Sequence, residues 1–212
     1  MTTSEPKKKN LDFLWQSFLK GDDKSFSLIY QQHIDGLFLY GSKLCPDRES
    51  MRDCIQEIFV DLFLKRKKKS GEITNLKSYL FVSLRNCIGK KAEKTRKLKF
   101  IDEGDGENGG PFQIEYSFLD KYIELEISNV IKKQLQSKIN NLPSRQKEII
   151  YLKFEEEMDY PDIARILKIS VESARKLLYR ALLTLRKTVD PSLAQTLFII
   201  FFKKNPDSLP MF

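Results

Sequence analysis

Several features that would indicate an enzyme or a metalloprotein are scarce in this sequence. There is one histidine, His33, and no serine or cysteine nucleophile is arranged near it. The chain also has no glycine loop of the phosphate-binding type and no cluster of metal-ligating residues. These absences argue against an enzyme, a cofactor and a bound metal, and they favour a structural role for His33.

Cysteines and long apolar runs are also scarce. The three cysteines, Cys45, Cys54 and Cys87, are isolated, so neither a disulfide framework nor a zinc site is indicated. The longest apolar run, Leu197 to Phe202, is far shorter than the roughly 20 residues that a membrane-spanning helix needs. The first ten residues, MTTSEPKKKN, lack the apolar core of a signal peptide. We therefore expect a reduced, cytoplasmic protein without membrane insertion.

What the chain does have is positive charge and helical periodicity. The net charge of +8 and the pI near 9.2 favour a polyanionic partner, either nucleic acid or an anionic membrane surface. Apolar residues recur with helical spacing from Leu11 to Phe100 and from Tyr122 to Val189, whereas strand signals are almost absent. The sequence therefore predicts an all-α protein.

A segment rich in Gly, Asp and Asn, Ile101 to Ser117, separates the two helical regions, and the charge changes sign there. Lys65 to Lys99 holds 13 basic and 2 acidic residues, whereas Asp102 to Glu126 holds 8 acidic and 1 basic. This favours two small helical domains joined by a flexible acidic linker, for which a solvated spacer is the simplest interpretation. The predicted segments are a disordered basic N-terminus (1–10), a first domain (11–100), the linker (101–121), a second domain (122–189) and an apolar C-terminal extension (190–212).

A predicted helix from about Arg48 to Lys65 has two unusual faces. One face carries a core stripe of Met51, Ile55, Ile58, Phe59 and Leu62. The opposite face combines acids and amides with two apolar residues, and its members are Asp53, Gln56, Glu57, Val60, Asp61 and Leu64. Such a face fits either a helix that is buried on both sides or a docking surface for a helix of another protein.

A cationic loop, Lys65 to Asn75, leads into a second cationic helix. That helix is apolar at Leu80, Leu84 and Ile88, with Phe81 beside this stripe. Its other sides carry Tyr79, Arg85, Asn86, Lys90 and Lys94. Cations supply affinity for phosphates, and amides and aromatic rings can recognise bases. DNA binding is one interpretation, and a merely solvated face is the other.

The stretch from Asp159 to Lys187, DYPDIARILKISVESARKLLYRALLTLRK, predicts a helix-turn-helix. Asp159 and Ser170 are candidate N-caps, and Pro161 falls in the first turn of the first helix. In the second helix the predicted buried stripe is Val171, Ala174, Leu178, Ala181 and Leu185. Its polar side carries Glu172, Ser173, Arg175, Lys176, Tyr179, Arg180 and Arg186, which would meet the phosphates and bases of a major groove.

With these motifs in order, the chain resembles an extracytoplasmic-function (ECF) sigma factor of bacterial RNA polymerase, of a Bacteroidetes-like type, over about Leu11 to Lys187. The first domain is similar to sigma region 2, with the family's Asp-x-x-Gln-Glu-x-Phe motif at Asp53, Gln56, Glu57 and Phe59. The family's Trp-Leu…Arg-Asn segment corresponds to Tyr79-Leu80…Arg85-Asn86 in this sequence, with tyrosine in place of the usual tryptophan. The second domain is similar to region 4.

The resemblance implies partners and roles. The face with Asp53, Gln56, Glu57, Val60, Asp61 and Leu64 would bind the β′ coiled-coil of core polymerase, and the polymerase β flap would be a second contact. The −10 promoter element would be read and melted by Lys65, Arg66, Lys67, Lys68, Lys69, Tyr79, Arg85, Asn86 and Lys90. The −35 element would be read by Ser170, Glu172, Ser173, Arg175, Lys176, Tyr179 and Arg180. The linker would pass through the RNA-exit path.

The extension 190–212 exceeds the usual length of the family and is too apolar for a solvated tail. It would either pack back on the second domain or dock an anti-sigma factor or a recruiting protein. Two other functions stay open on the sequence alone. One is a helix-turn-helix regulator that works without polymerase, and the other is a sigma-type adaptor that a partner protein recruits to DNA.

Overall fold

The computed structural model describes residues 4–66, 73–99 and 129–189, which form eight α-helices and one π-helical turn without a β-strand. The predicted all-α class is therefore confirmed. The chain divides into two compact units, Met1–Gly110 (unit 1) and Pro111–Phe212 (unit 2), and the division lies within the predicted linker. None of the described helices is long and apolar enough to cross a membrane. The linker, the extension 190–212 and Lys67, Lys68 and Lys69 lie outside the described residues.

Unit 1 is built from four helices, which are α1 (Ser4–Leu19), α2 (Asp23–Leu44), α3 (Arg48–Leu64) and α4 (Leu76–Lys99). Helices α2, α3 and α4 pack against one another, and α1 packs on α2. The predicted stripes of α3 and α4 are buried, as is Tyr40, whose ring stacks on Phe81 at 5.0 Å. A Cβ atom added to Gly41 would lie 2.8 Å from Cγ of Met51, so this glycine allows α2 and α3 to approach closely.

Aspartates cap the helices that follow two of the breaks in unit 1. Asp22 caps α2 by accepting hydrogen bonds from the Lys24 backbone N–H at 3.0 Å and the Ser25 hydroxyl at 2.6 Å. The hydrogen bond from Ser25, followed by that from the Lys24 backbone, holds the pKa of Asp22 below its ordinary value. Asp47 caps α3 in the same way, accepting from the Glu49 backbone N–H at 3.0 Å.

Two expectations for unit 1 require correction. The N-terminal residues 1–10 were predicted to be disordered, but α1 already begins at Ser4. Trp15 and Phe18 anchor the later part of α1 in the core, and extending an existing helix avoids the cost of nucleation. The cysteines were also expected to remain separate, yet Cys54 of α3 and Cys87 of α4 form a disulfide, with Cα atoms 5.7 Å apart. Cys45 is free.

Unit 2 contains α5 (Asn129–Asn140), α6 (Ser144–Ile150), a π-helical turn (Tyr151–Glu155), α7 (Tyr160–Leu167) and α8 (Val171–Thr188). Helix α8 packs on both α6 and α7. At the π-helical turn the buried Tyr151 hydroxyl donates a hydrogen bond to Oε1 of Glu156 at 2.7 Å. Burial, reinforced by the Glu156 carboxylate, raises the pKa of Tyr151 well above its ordinary value.

The buried stripe of α8 matches its prediction except at Val171. Ala174, Leu178, Ala181 and Leu185 are buried, and Leu182 joins them. Val171 was expected to be buried but is 38% exposed. It is the first helical residue after the Ser170 cap, so only one side of it is flanked by a helical turn of α8.

Candidate protein and nucleic-acid interfaces

The first candidate interface is the α3 face, defined by Asp53, Gln56, Glu57, Val60, Asp61 and Leu64. Val60 is 49% and Leu64 75% exposed, so these apolar side chains lie in solvent rather than in a second core. Of the two interpretations of this helix, burial on both sides is therefore excluded within unit 1. Exposed apolar side chains next to carboxylates are typical of a protein-docking surface.

The α3 face continues into a groove that sequence analysis did not predict. This groove has a volume of about 690 Å³ and lies between α2 and α3. It shares Gln56, Val60 and Leu64 with the α3 face, and α2 contributes Phe26, Tyr30, Ile34 and Phe38. No local signal marks the α2 residues, because their apolar spacing resembles that of an ordinary core stripe.

The carboxylates of the α3 face already have partners inside unit 1. Lys91 of α4 lies 3.4 Å from Asp53 and 3.3 Å from Glu57, which places both acids beside α4. Asp61 pairs with Lys65 one turn later at 2.5 Å. Pairs this exposed contribute little to stability, and they leave the carboxylates accessible to a partner.

The second candidate interface is the α4 face, defined by Tyr79, Asn86 and Lys90. At 100° per residue these side chains lie within about 40° of one another, whereas Arg85 points about 100° away from Asn86. Tyr79, Arg85 and Asn86 are half-buried, and Lys90 is exposed. The structure therefore groups an aromatic ring, an amide and an ammonium group on one helix face, but it does not bring Arg85 to that face.

Arg66, at the start of the basic loop, is held by unit 1. Its guanidinium group lies 5.6 Å from the ring centroids of both Phe18 and Phe63. The same group pairs with Asp23 at 2.9 Å. Arg66 therefore contributes to the contact of α1, α2 and α3, a structural role that the charge run did not indicate.

The third candidate interface is the α8 face, defined by Ser170, Glu172, Ser173, Arg175, Lys176, Tyr179 and Arg180. All of these residues are exposed. Ser170 caps α8, since its hydroxyl oxygen accepts from the Ser173 backbone N–H at 3.0 Å. The turn before it passes through Lys168 in the left-handed conformation, with φ of 55°. Cap and turn together set the start and direction of α8.

Two cations of the α8 face have internal partners. Lys176 pairs with Glu172 at 2.5 Å, and the hydrogen bond from Lys176 lowers the pKa of Glu172. The guanidinium carbon of Arg175 lies 4.5 Å from the ring centroid of Tyr160, the first residue of α7. Tyr160 is buried, and Nζ of Lys153 lies 4.9 Å from the same centroid. Sequence analysis did not identify this ring, because 15 residues separate it from Arg175.

Comparison with known proteins identifies part of this arrangement. The family model described as "Sigma-70, region 4" matches residues 132–185, which include all of α6 and α7 and most of α5 and α8. This segment, hereafter the region 4 domain, is similar to the sigma-70 region 4 family. The predicted DNA-binding helix-turn-helix of the region 4 domain is thereby confirmed, with α7 as the bracing helix and α8 as the helix that carries the exposed cations.

Longer similarities extend beyond the region 4 domain. The ECF RNA polymerase sigma factor SigM of Bacillus subtilis (strain 168) is 24% identical over 153 residues, which cover 72% of this chain and 88% of that protein. Among solved structures, the sigma factor RpoE from Bartonella quintana, in complex with the anti-sigma factor NepR, aligns with a TM-score of 0.52 and 21% identity. That alignment covers 77% of this chain and 96% of RpoE.

A second solved structure, CnrH in complex with the cytosolic domain of CnrY, aligns with a TM-score of 0.50 and 16% identity. It covers 82% of this chain and 94% of CnrH. At these identities the two structural likenesses show a shared fold. Together with the region 4 domain and the similarity to SigM, they support a sigma-factor role in transcription initiation.

Proposed function

We propose that this protein is an ECF sigma factor that binds core RNA polymerase in the cytoplasm and directs promoter recognition, DNA melting and initiation. The observation that supports this most strongly is the combination of surfaces in one chain. Unit 2 holds a region 4 domain whose α8 face is exposed and cationic. Unit 1 is a separate helical unit that exposes Val60 and Leu64 among carboxylates. A regulator that works without polymerase has no need of the α3 face.

In this proposal the α3 face binds the polymerase β′ coiled-coil. Burial of Leu64 and Val60 would supply the favourable apolar term, because both side chains lie in solvent in the free protein. Asp53, Glu57 and Asp61 would supply charge complementarity to a basic partner. Unit 2 would make the second contact, with the β flap.

The α4 face and the basic loop would bind the −10 element. Extruding a base from the stack costs a few kcal/mol, so the protein needs a surface that stabilises the extruded base. The Tyr79 ring offers stacking and the Asn86 amide offers hydrogen bonds on the same face, with Lys90 available for a phosphate. Lys65, Lys67, Lys68 and Lys69 would add electrostatic affinity, and Arg66 would add to it only by leaving its contacts with Phe18, Phe63 and Asp23.

The α8 face would read the −35 element. The helix is about 27 Å long at 1.5 Å per residue, enough to cross a major groove. Arg175 and Arg180 would contact phosphates or guanine edges, and the Ser173 hydroxyl is short enough to act at a base edge.

An anti-sigma factor is a proposed partner as well. RpoE, one of the structural neighbours, was solved in complex with NepR. A regulator or a recruiting protein would also have the apolar extension 190–212 as a docking segment. The Bacteroidetes-like type remains a prediction from the sequence.

Run-off transcription with sigma-free core polymerase tests this function. Genomic fragments are transcribed with core alone, with core plus this protein, and with core plus the Leu64→Asp variant. We expect start sites that depend on the wild-type protein and disappear with the variant. The protein would instead be a helix-turn-helix regulator if it binds DNA tightly and sequence-specifically without polymerase and selects no start sites. Start sites that appear only with a co-purified protein would identify an adaptor.

A further inference from the structure

The α3–α4 interface of unit 1 contains a pair of cysteines with very different accessibility. Cys54 on α3 is fully buried, whereas Cys87 on α4 is partly exposed. Their Cα atoms are 5.7 Å apart, within the range in which a disulfide forms without backbone movement. The sequence separation is 33 residues, so packing of two helices brings the pair together.

The groups around the pair are polar and ionic. Cys87 Sγ lies 3.5 Å from Oε2 of Glu57. One helical turn beyond Cys87, Lys91 pairs with Glu57 and Asp53 and donates to the Ser50 carbonyl at 3.5 Å. These exposed pairs add little stability, but the buried apolar stripes of α3 and α4 also pack against each other, and that contact does not require a bond between the sulfur atoms. We therefore expect the two cysteines to stay close in both redox states.

We propose that Cys54 and Cys87 form a reversible thiol–disulfide site, which low-molecular-weight disulfides such as oxidised glutathione oxidise and dithiols reduce. The site converts the α3–α4 interface from a non-covalent contact to a covalent one. It stands on the geometry of unit 1 and is independent of the transcription function proposed above.

The exchange proceeds in two balanced steps. The accessible Cys87 thiolate attacks one sulfur of oxidised glutathione, forming a mixed disulfide and releasing one glutathione thiolate. The Cys54 thiolate then attacks Sγ of Cys87, forming the protein disulfide and releasing the second glutathione thiolate. The protein loses two electrons and two protons, and one oxidised glutathione becomes two reduced molecules. A dithiol reverses both steps.

Oxidation of the two cysteines changes the stability of unit 1 rather than its folded structure. The bridge closes a loop that contains the end of α3, the whole of Lys65 to Asn75 and the first half of α4. Such a link restricts the unfolded chain, and the restriction grows with loop length. Since α3 and α4 are already packed at the required distance, oxidation raises the resistance of unit 1 to unfolding and leaves its folded surfaces in place.

The full-length protein is equilibrated with oxidised glutathione or with dithiothreitol, and thiols are alkylated after unfolding in an acid-quenched denaturant. Mass spectrometry is expected to find three alkylated cysteines in the reduced protein. In the oxidised protein Cys54 and Cys87 are expected to be joined and not alkylated, while the free Cys45 is alkylated or carries one glutathione. The melting temperature of unit 1 is expected to rise by roughly 10–20 °C on oxidation. Three reactive thiols after oxidation would overturn the proposal. It would also be overturned if peptide mapping confirms the bridge and the melting temperatures of the oxidised and reduced proteins are equal.

Single substitutions test the order of attack. Cys54→Ser is expected to retain one glutathione on Cys87, because the second thiol is missing. Cys87→Ser is expected to take up none at the buried Cys54. Cys45→Ser is the matched control and should behave as the wild type. A glutathione adduct at Cys54 in the Cys87→Ser protein would contradict the proposed mechanism, and peptide mapping of wild-type protein decides the pairing even if a variant fails to fold.

Discussion

The guanidinium carbon of Arg175 lies 4.5 Å from the centroid of the Tyr160 ring, so a cation of the α8 face rests on an aromatic side chain of α7. Arg175 is exposed, but Tyr160 is buried and cannot move easily. In the free protein the Tyr160 ring therefore restricts the conformations of the long, flexible Arg175 side chain. Restriction of this kind lowers the entropy lost on binding.

Removal of this ring is predicted to weaken DNA binding. Ordering a long side chain on binding costs about 0.5–1.5 kcal/mol, so loss of the ring that orders Arg175 in advance is expected to lower the affinity of Tyr160→Leu for a −35 duplex by roughly 2–10-fold. Tyr160→Phe keeps the ring and should bind nearly as the wild type. Fluorescence anisotropy measures the affinities, and thermal unfolding checks that both variants fold. Equal affinities for the Leu and Phe variants would exclude the positioning role.

Phosphate contacts by the α8 face are predicted to appear in the salt dependence of binding. Loss of one phosphate contact reduces the slope of log K against log salt concentration by about 0.9. Arg180→Ala and Arg175→Ala should each show this reduction. The matched control is Lys24→Ala, which removes one exposed cation from α2, outside the three candidate interfaces. A slope unchanged from that of the control would mean that the arginine does not contact a phosphate.

The α3 face is predicted to be necessary for polymerase binding. Leu64→Asp places a carboxylate at the most exposed apolar position of this face, and we expect association with core polymerase to fall at least about tenfold. Leu39→Asp is the control, because Leu39 is 52% exposed on α2 and does not line the groove. Pull-down and transcription assays report binding, and circular dichroism reports the fold. Wild-type binding by the Leu64 variant would rule out this face.

Tyr151 is predicted to make the stability of unit 2 fall as the pH rises above about 10. Its folded pKa is raised by burial, so its stabilising effect is complete below about pH 10 and is lost as the pH rises further and tyrosine ionises in the unfolded chain. Tyr151→Phe should remove this dependence. It should also cost about 1–3 kcal/mol at neutral pH, because the hydrogen bond to Glu156 is lost. Chemical denaturation between pH 7 and about pH 11 measures both. A parallel loss of stability in both proteins would show that another group titrates.

Local patterns in the sequence predicted the helices well. The predicted cap at Ser170 begins α8, because its hydroxyl satisfies the backbone N–H of Ser173 three residues later. The core stripe of α3 was predicted as well, whereas burial and exposure both stayed open for Val60 and Leu64 on the sequence alone. Such signals depend only on neighbours along the chain, and for that reason they can be read without a structure.

Features that depend on contacts through space were not predicted. The Cys54–Cys87 pair spans 33 residues and has no spacing motif. The α2 side of the groove, the Tyr160 ring and the helix that extends back to Ser4 all depend on how elements pack.

The placement of Arg66 has a consequence for the basic loop. Its guanidinium group lies against Phe18 and Phe63 and pairs with Asp23, so it cannot grip a DNA phosphate without giving up these neighbours. If Arg66 left these contacts to bind DNA, the free energy that they contribute to folding would be lost and would reduce its gain in DNA affinity. In the proposed −10 interface, stability and affinity would therefore compete at this position. The neighbouring lysines, rather than Arg66, would determine how strongly the loop attracts DNA.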